Sequence, residues 1–251
     1  MKRTAALFAV LVSFAASAYV LPGSSIVRRM VTERDELKLS SLRVDGSLSF
    51  SGPAVKEAGA ALGTPTDRPD VQGDGTLYIR VPGRCRFEAA VPDGNARAAA
   101  IHAGGRRRSE GTEVPSMSVL VSQVCPLLAM GGGNVQDMKE AVLQHLQSLG
   151  VETQRTGLAR FGGEVAFVLG DMAEGRPQFW VYKDSFRPAR LRYTDNANNA
   201  WDVRFLDYTS PATGEWMPRT IEVWRGGQRA LRFTALKGDN RATVADKLFT
   251  P

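Results

Sequence analysis

The stretch FWVYKDSFRPARLRY, from Phe179 to Tyr193, is rich in both aromatic residues and arginines. Three explanations fit such a sequence: a stacking platform for nucleic acid, a strip on a membrane surface, or a β-hairpin with one solvent-exposed (wet) face and one buried (dry) face. If residues 184–188 form the turn, period-two alternation places on the dry face the residues Phe179, Val181, Leu191 and Tyr193. Arg190 and Arg192 then point to solvent, and so do Trp180 and Tyr182, whose outward aromatic surface the one-sided hairpin does not explain.

The rest of the C-terminal half repeats this pattern of short strands separated by turns. Strands are predicted at residues 153–160, 164–169, 178–183, 189–194, 201–208, 219–225 and 229–237. Gly162-Gly163 and Gly226-Gly227 are typical of hairpin turns, and clusters of Pro, Asp and Asn mark the other turns. Since no helix-length crossover separates these strands, we expect them to pair antiparallel as a meander.

Alternation along these strands defines one apolar face of the predicted sheet. Its further members are Trp201, Val203, Phe205, Ile221, Val223, Leu231 and Phe233. Together with the four residues on the dry face of the hairpin, they form the candidate ligand-binding face. LRVDGSLSF (Leu42–Phe50) and GTLYIRVPGRCRFEAAV, which is interrupted by Pro82-Gly83, add strands from the N-terminal half.

Helices are few by comparison. The sequence predicts one from Ser24 or Ser25 to Leu37, one over residues 116–130 interrupted by Pro126, and one that Asn134 caps and Gly150 ends. Residues 51–74 are rich in Gly, Ala, Pro and Asp and predict a long loop. The fold class is therefore α+β: a strongly curved antiparallel sheet of about 10–11 strands with about three helices on its concave face. Either an apolar cavity remains between the helices and the sheet, or large side chains fill this space completely.

The first eighteen residues have the anatomy of a secretory signal. Lys2 and Arg3 precede an apolar run, and small residues precede a predicted cleavage before Tyr19. An uncleaved anchor is the alternative interpretation. Removal of the segment lowers the formal charge from +6 to +4, because Lys2 and Arg3 are its only charges. The positive charge suits anionic surfaces or ligands, whereas export argues against nucleic acid.

The two cysteines, Cys85 and Cys125, both lie in the exported part, so we expect a disulfide between them; two buried free thiols are the alternative. The two histidines are far apart and the cysteines do not complete a zinc-ligand spacing, so neither a metal site nor a cofactor is predicted. No nucleophile elbow, metalloprotease helix or phosphate-binding loop is present, which argues against an enzyme. Arg106 to Arg108 is either a solvated turn or a contact for phosphate head groups.

The order of these elements resembles the periplasmic lipoprotein-carrier family, the LolA-like and LolB-like proteins. The segments that carry the resemblance are LRVDGSLSF, GDGTLYIRVPGRCRFEA, FWVYKDSFRPARLRY and the closing KGDNRATVADKLFTP, and they span nearly the whole mature chain. In the family a functional arginine directly precedes the proline of the third strand. Here Val81 stands at that position and Arg80 lies one residue earlier, on the opposite face of the strand.

The resemblance implies a single half-barrel domain over residues 19–251 whose cavity receives the acyl chains of lipoproteins. It further implies a periplasmic carrier for outer-membrane lipoprotein sorting, with lipoproteins or other lipids as ligands and transient contacts with inner- or outer-membrane sorting proteins. An envelope stress sensor or protein-interaction module built on the same fold is the alternative function.

Overall fold

The computed structural model of the protein describes residues 20–92 and 96–250. The predicted signal segment at residues 1–18 and its cleavage before Tyr19 lie outside these ranges. Within them, no helix is both long enough and apolar enough to cross a membrane.

Twelve strands and four α-helices make up the described part of the chain. The strands are β1 (Ser41–Ser51), β2 (Asp70–Arg80), β3 (Arg84–Ala90), β4 (Arg97–Ala103), β5 (Arg106–Glu110), β6 (Thr156–Phe161), β7 (Glu164–Gly170), β8 (Gln178–Tyr182), β9 (Pro188–Thr194), β10 (Ala200–Leu206), β11 (Thr220–Arg225) and β12 (Gln228–Asp239). The helices are α1 (Gly23–Glu36), α2 (Ala54–Leu62), α3 (Pro115–Leu128) and α4 (Val135–Ser148), and a short 3₁₀ helix spans Asp246–Leu248.

All twelve strands belong to one antiparallel sheet, in the order β5-β4-β3-β2-β1-β12-β11-β10-β9-β8-β7-β6. The sheet thus consists of two meanders, β1–β5 and β6–β12, which are joined where β1 pairs with β12. Strands β5 and β6 are the two edges, and α3 and α4 lie between them in the sequence. The sheet is open and curved, so the predicted α+β half-barrel is confirmed, with slightly more strands and one more helix than expected.

The predicted loop at residues 51–74 is wrong. Ala54–Leu62 forms α2, which ends at Gly63 with a left-handed φ of 67°, and β2 already begins at Asp70. Alanine is the strongest helix former, and Gly just past the last turn is a common helix stop. The low-complexity composition therefore hid a short helix with small side chains, which packs closely against β1 and β2.

The other helices differ from prediction in detail. α1 begins at Gly23 without a side-chain cap, rather than at a capping Ser24 or Ser25. A Cβ on Gly23 would lie 2.1 Å from the carbonyl oxygen of Thr153, so this start requires glycine. α3 continues through Pro126 to Leu128, and Asn134 caps α4 as predicted, its side chain accepting a hydrogen bond from the backbone N–H of Gln136 at 2.7 Å.

Candidate functional site

The eleven residues predicted as the ligand-binding face come together on the concave side of the sheet, here called the concave face. They are Phe179, Val181, Leu191, Tyr193, Trp201, Val203, Phe205, Ile221, Val223, Leu231 and Phe233, and all belong to one apolar cluster. Their placement follows from the register, which pairs Phe179 with Leu191, Val203 with Val223 and Ile221 with Phe233. Strands β1–β3 extend the same face with Leu48, Leu77 and Phe87.

The concave face is closed in this structure. None of its eleven residues is more than 8% exposed, and the same cluster contains apolar side chains of all four helices. Of the two alternatives that the sequence left open, large side chains fill the space beneath the helices around these residues. A ligand that uses this face therefore has to displace helical side chains.

The helical cover is unevenly attached. α3 is buried along most of its length, whereas α4, which the structure describes throughout, has only Val142 and Leu146 buried. The remaining apolar residues of α4, such as Val135, Met138 and Leu143, are partly exposed. α4 is therefore the part of the cover that is held by the least apolar burial.

A polar chain joins α4, α3 and the sheet beneath the cover. The Nε2–H of His145 donates to Oε1 of Gln123 at 2.9 Å, and Nε2 of Gln123 donates to the hydroxyl of Tyr193 at 3.1 Å. Burial, with a smaller contribution from the charge of His102, lowers the pKa of His145 to about 4. Burial also raises the pKa of Tyr193 to about 12. Both groups are therefore neutral near pH 7, and sequence periodicity offered no sign that they would meet.

The predicted disulfide between Cys85 and Cys125 is confirmed. It joins the inner side of β3 to α3 with a Cα–Cα distance of 5.6 Å, and both residues are buried. Because the bond attaches α3 covalently to the sheet, α3 cannot leave the concave side completely while the disulfide is intact.

A second tie to α3 comes from Arg34 in α1, which sequence analysis did not single out. Its Nε donates to the carbonyl oxygen of Leu128 at 2.7 Å, and its Nη1 donates to the carbonyl oxygen of Trp216. The side chain is buried, and burial lowers its pKa to about 10, so the guanidinium keeps its charge near pH 7. Arg34 thus connects α1, the end of α3 and the loop between β10 and β11. In the sequence it looks like one of several arginines of an amphipathic helix.

Arg80 and Val81 occupy the turn where the sequence departs from the carrier pattern. Arg80 points away from the concave face, as predicted, and its Nη1 donates to the carbonyl oxygen of Val244 at 2.7 Å. Residues 242–250 cross the convex side there, and Val244 and Phe249 pack on Ile101 of β4. Arg108 of β5 donates to the carbonyl oxygen of Thr250 at 2.6 Å, so part of the arginine run binds this closing segment.

The prediction that Trp180 and Tyr182 lie on the wet side of the hairpin is wrong. They are 9% and 5% exposed, because a second apolar cluster lies on the convex side of β7–β9. Its other buried members are Ala166, Val168 and Ala189, with Ala159, Phe161 and Tyr208 packed around them. Arg190 lies over the rings of Phe161 and Trp180 and forms a two-bond ion pair with Asp202 at 2.8 and 2.6 Å. On the convex side of β7–β9, the aromatic rings are therefore covered by packing and by Arg190.

No group of three or more His, Cys, Asp or Glu side chains within residues 20–92 and 96–250 is arranged to hold a metal ion.

Comparison with known proteins identifies the fold. No protein-family model matches the sequence, and no curated protein matches it either. Among solved structures, a LolA superfamily protein from Nitrosomonas europaea is similar with a TM-score of 0.50 and 10% identity, over 90% of this chain and 97% of that one.

Two further solved structures are more distant. An outer membrane lipoprotein-sorting protein domain from Vibrio parahaemolyticus has a TM-score of 0.39 and 11% identity over 89% of this chain and 95% of that one. The Pseudomonas aeruginosa MucA/MucB complex has a TM-score of 0.29 and 13% identity over 92% of this chain and 61% of that one. These two scores add nothing to the first match, and at such identities a match concerns the fold alone. The fold inferred from the sequence is confirmed: the chain has a LolA-like fold.

Proposed function

We propose that the chain is a periplasmic carrier that binds the acyl chains of lipoproteins, or another hydrophobic ligand, on the concave face. The observation that carries the proposal is the concave face itself, a continuous apolar surface of eleven residues beneath a cover of which α4 buries only two side chains. No catalytic step is part of this function.

The free energy of displacing α4 can be compared with the free energy gained by burying an acyl chain. Burying a large aliphatic side chain contributes about 1.5–3 kcal/mol, so exposing Val142 and Leu146 costs roughly 3–6 kcal/mol. Each buried methylene of an acyl chain contributes about 0.8 kcal/mol, so about ten methylenes recover roughly 8 kcal/mol. A single long acyl chain therefore offsets the exposure of these two side chains.

The ties to α3 determine how the cover opens. The disulfide keeps α3 attached to β3, while Arg34 and the His145–Gln123–Tyr193 chain are hydrogen bonds that water can replace. The proposed opening therefore lifts α4 first and leaves α3 attached at Cys125.

Native mass spectrometry of the exported protein, alone and mixed with a triacylated lipoprotein, tests the proposal. We expect bound lipid or a mass shift on mixing. A lipoprotein with a photoreactive acyl chain should label peptides of β8–β12 at concave residues such as Val203 and Phe233. Trp224, on the opposite face of β11, is the internal control and should remain unlabelled.

Absence of retained lipid together with absence of a shift would contradict the carrier proposal. A pull-down that returns a membrane-anchored signalling protein and no lipoprotein would favour the sensor or interaction module instead.

A further inference from the structure

A cleft of about 270 Å³ opens between the C-terminal half of α1, the end of α3 and the turn that precedes β9. Its apolar walls are Met30, Leu37, Leu127, Leu128 and Phe186. Met30, Leu127 and Leu128 also belong to the apolar cluster that contains the concave face. The cleft therefore borders, through these buried side chains, the apolar cluster that contains the proposed ligand-binding region.

Arg34 lines this cleft and carries an uncompensated charge. It is 7% exposed, and within the described ranges no carboxylate lies within ion-pair distance of its guanidinium. Nε and Nη1 donate to backbone carbonyls, whereas Nη2 is buried and has no hydrogen-bond partner among the described residues. Leaving a buried charge and a buried donor without partners is costly, so the site is one that a bound anion would stabilise.

A second guanidinium lies in the same cleft. Arg187 lines it with a side chain that is 19% exposed, and lies 5.4 Å from the ring centre of Tyr208. The Tyr208 hydroxyl donates to the carbonyl oxygen of Pro188 at 2.9 Å, and burial raises its pKa, so it adds no negative charge. Glu215 is 3.5 Å from Arg187 with a side chain that is 61% exposed.

The carboxylates that line the cleft belong to exposed residues. Glu33, Glu36 and Glu215 line it, and all three residues are exposed. Water screens exposed charges strongly and buried charges weakly, so these carboxylates offset the charge of buried Arg34 less than their number suggests.

We propose that this cleft binds the anionic head group of an acyl-chain ligand, a carboxylate or a phosphate, between Arg34 and Arg187. The acyl chain passes Met30, Leu127 and Leu128 toward the concave face. The inference rests on the proposed carrier function, taken for a hydrophobic ligand other than a triacylated lipoprotein, and adds the class of that ligand, an anionic amphiphile. The planar fork of arginine suits both head groups because each presents paired oxygens.

Calorimetric titration of the full exported protein with matched probes tests the proposal. Oleate and oleoyl-lysophosphatidic acid carry the two anionic head groups, oleyl alcohol carries the same chain without charge, and inorganic phosphate carries charge without a chain. We expect at least one of the two anionic amphiphiles to bind about tenfold or more tightly than oleyl alcohol. Which of them binds more tightly distinguishes a carboxylate ligand from a phosphate ligand, and inorganic phosphate should bind far more weakly than either.

Arg187→Gln should weaken binding of the preferred anionic probe about tenfold and leave oleyl alcohol unchanged. Arg232→Gln is the matched control, because it removes the same charge from the outer face of β12 and should change neither probe. Arg34→Lys keeps the charge but loses the fork, and should also weaken anion binding. Thermal unfolding of each variant verifies that it is folded.

Equal affinity for the charged and neutral probes, or an Arg187→Gln variant that binds like the wild type, would overturn the head-group site and leave the carrier proposal standing. Tight binding of inorganic phosphate alone would overturn it in favour of a simple anion site. If no probe with an acyl chain binds, the head-group site is overturned, and the mass-spectrometry test with the triacylated lipoprotein decides the carrier proposal separately.

Discussion

Removing the disulfide is the sharpest test of how the helical cover is held. In the double variant Cys85→Ala/Cys125→Ala, α3 loses its covalent bond to β3. Both cysteines are buried, and each is replaced by alanine, which is also small. The cysteines are 40 residues apart, and in the chain-entropy model a crosslink that closes a loop of this size contributes about 4 kcal/mol. The free energy of unfolding should fall by about that amount.

Denaturant unfolding of the oxidised wild type, the reduced wild type and the double variant measures this loss. For a protein of this size the midpoint of thermal unfolding should fall by roughly 8–16 °C. The reduced wild type is the control for packing, because it breaks the bond but keeps both sulfur atoms. It should lose nearly as much stability as the double variant.

A loss below about 1 kcal/mol in both proteins would refute the reasoning, because the crosslink would then restrain the unfolded chain far less than its loop length requires. A large loss in the double variant but a small loss on reduction would show that the sulfur atoms act through packing.

Three further predictions concern individual side chains. Phe233→Ala, in the concave face and 5.2 Å from the ring of Phe87, should lower the free energy of unfolding by about 3–5 kcal/mol, and a loss below about 1 kcal/mol would show that this face is loosely packed. The unfolded chain protonates His145 near its ordinary pKa of 6.5, whereas the folded protein does so only near 4, so stability should fall as pH decreases between these values, by about 3 kcal/mol at pH 4. His145→Gln should flatten that slope in unfolding curves measured from pH 7 to 4, and an unchanged slope would assign it to other groups. Asp202→Asn should cost about 2 kcal/mol in denaturant unfolding, because Arg190 and Arg204 both lose their carboxylate partner, and a neutral effect would contradict this.

The C-terminal meander could be predicted closely because its strands alternate at period two between strong turn signals. β10, for example, was expected at 201–208 and lies at Ala200–Leu206. The same rule assumes one apolar face, and it therefore failed for Trp180 and Tyr182. The neighbouring run EVAFVLG of β7 lacks alternation, which is typical of a strand buried on both faces and was the available signal for the convex cluster.

The helical cover and the cleft were less predictable. Local pattern defined α4 and its cap, but it could not show that His145 meets Gln123, since that contact joins two helices through tertiary packing. Arg34 lies in an arginine-containing amphipathic helix, where solvent exposure is the usual state. Its burial depends on the end of α3 and on Trp216, which is far away in the sequence.

The pairing of β1 with β12 also has a consequence for how the chain folds. Each meander forms through contacts between strands that are neighbours in the sequence, whereas the β1–β12 seam joins residues as distant as Arg43 and Asp239. Such non-local contacts raise the contact order and slow folding. We infer that the two meanders form first and that β1 pairs with β12 last. Gly46 lies at the bulge of that seam, where a Cβ would be 2.4 Å from the carbonyl oxygen of Thr234, so a side chain there would obstruct the step that unites the two halves.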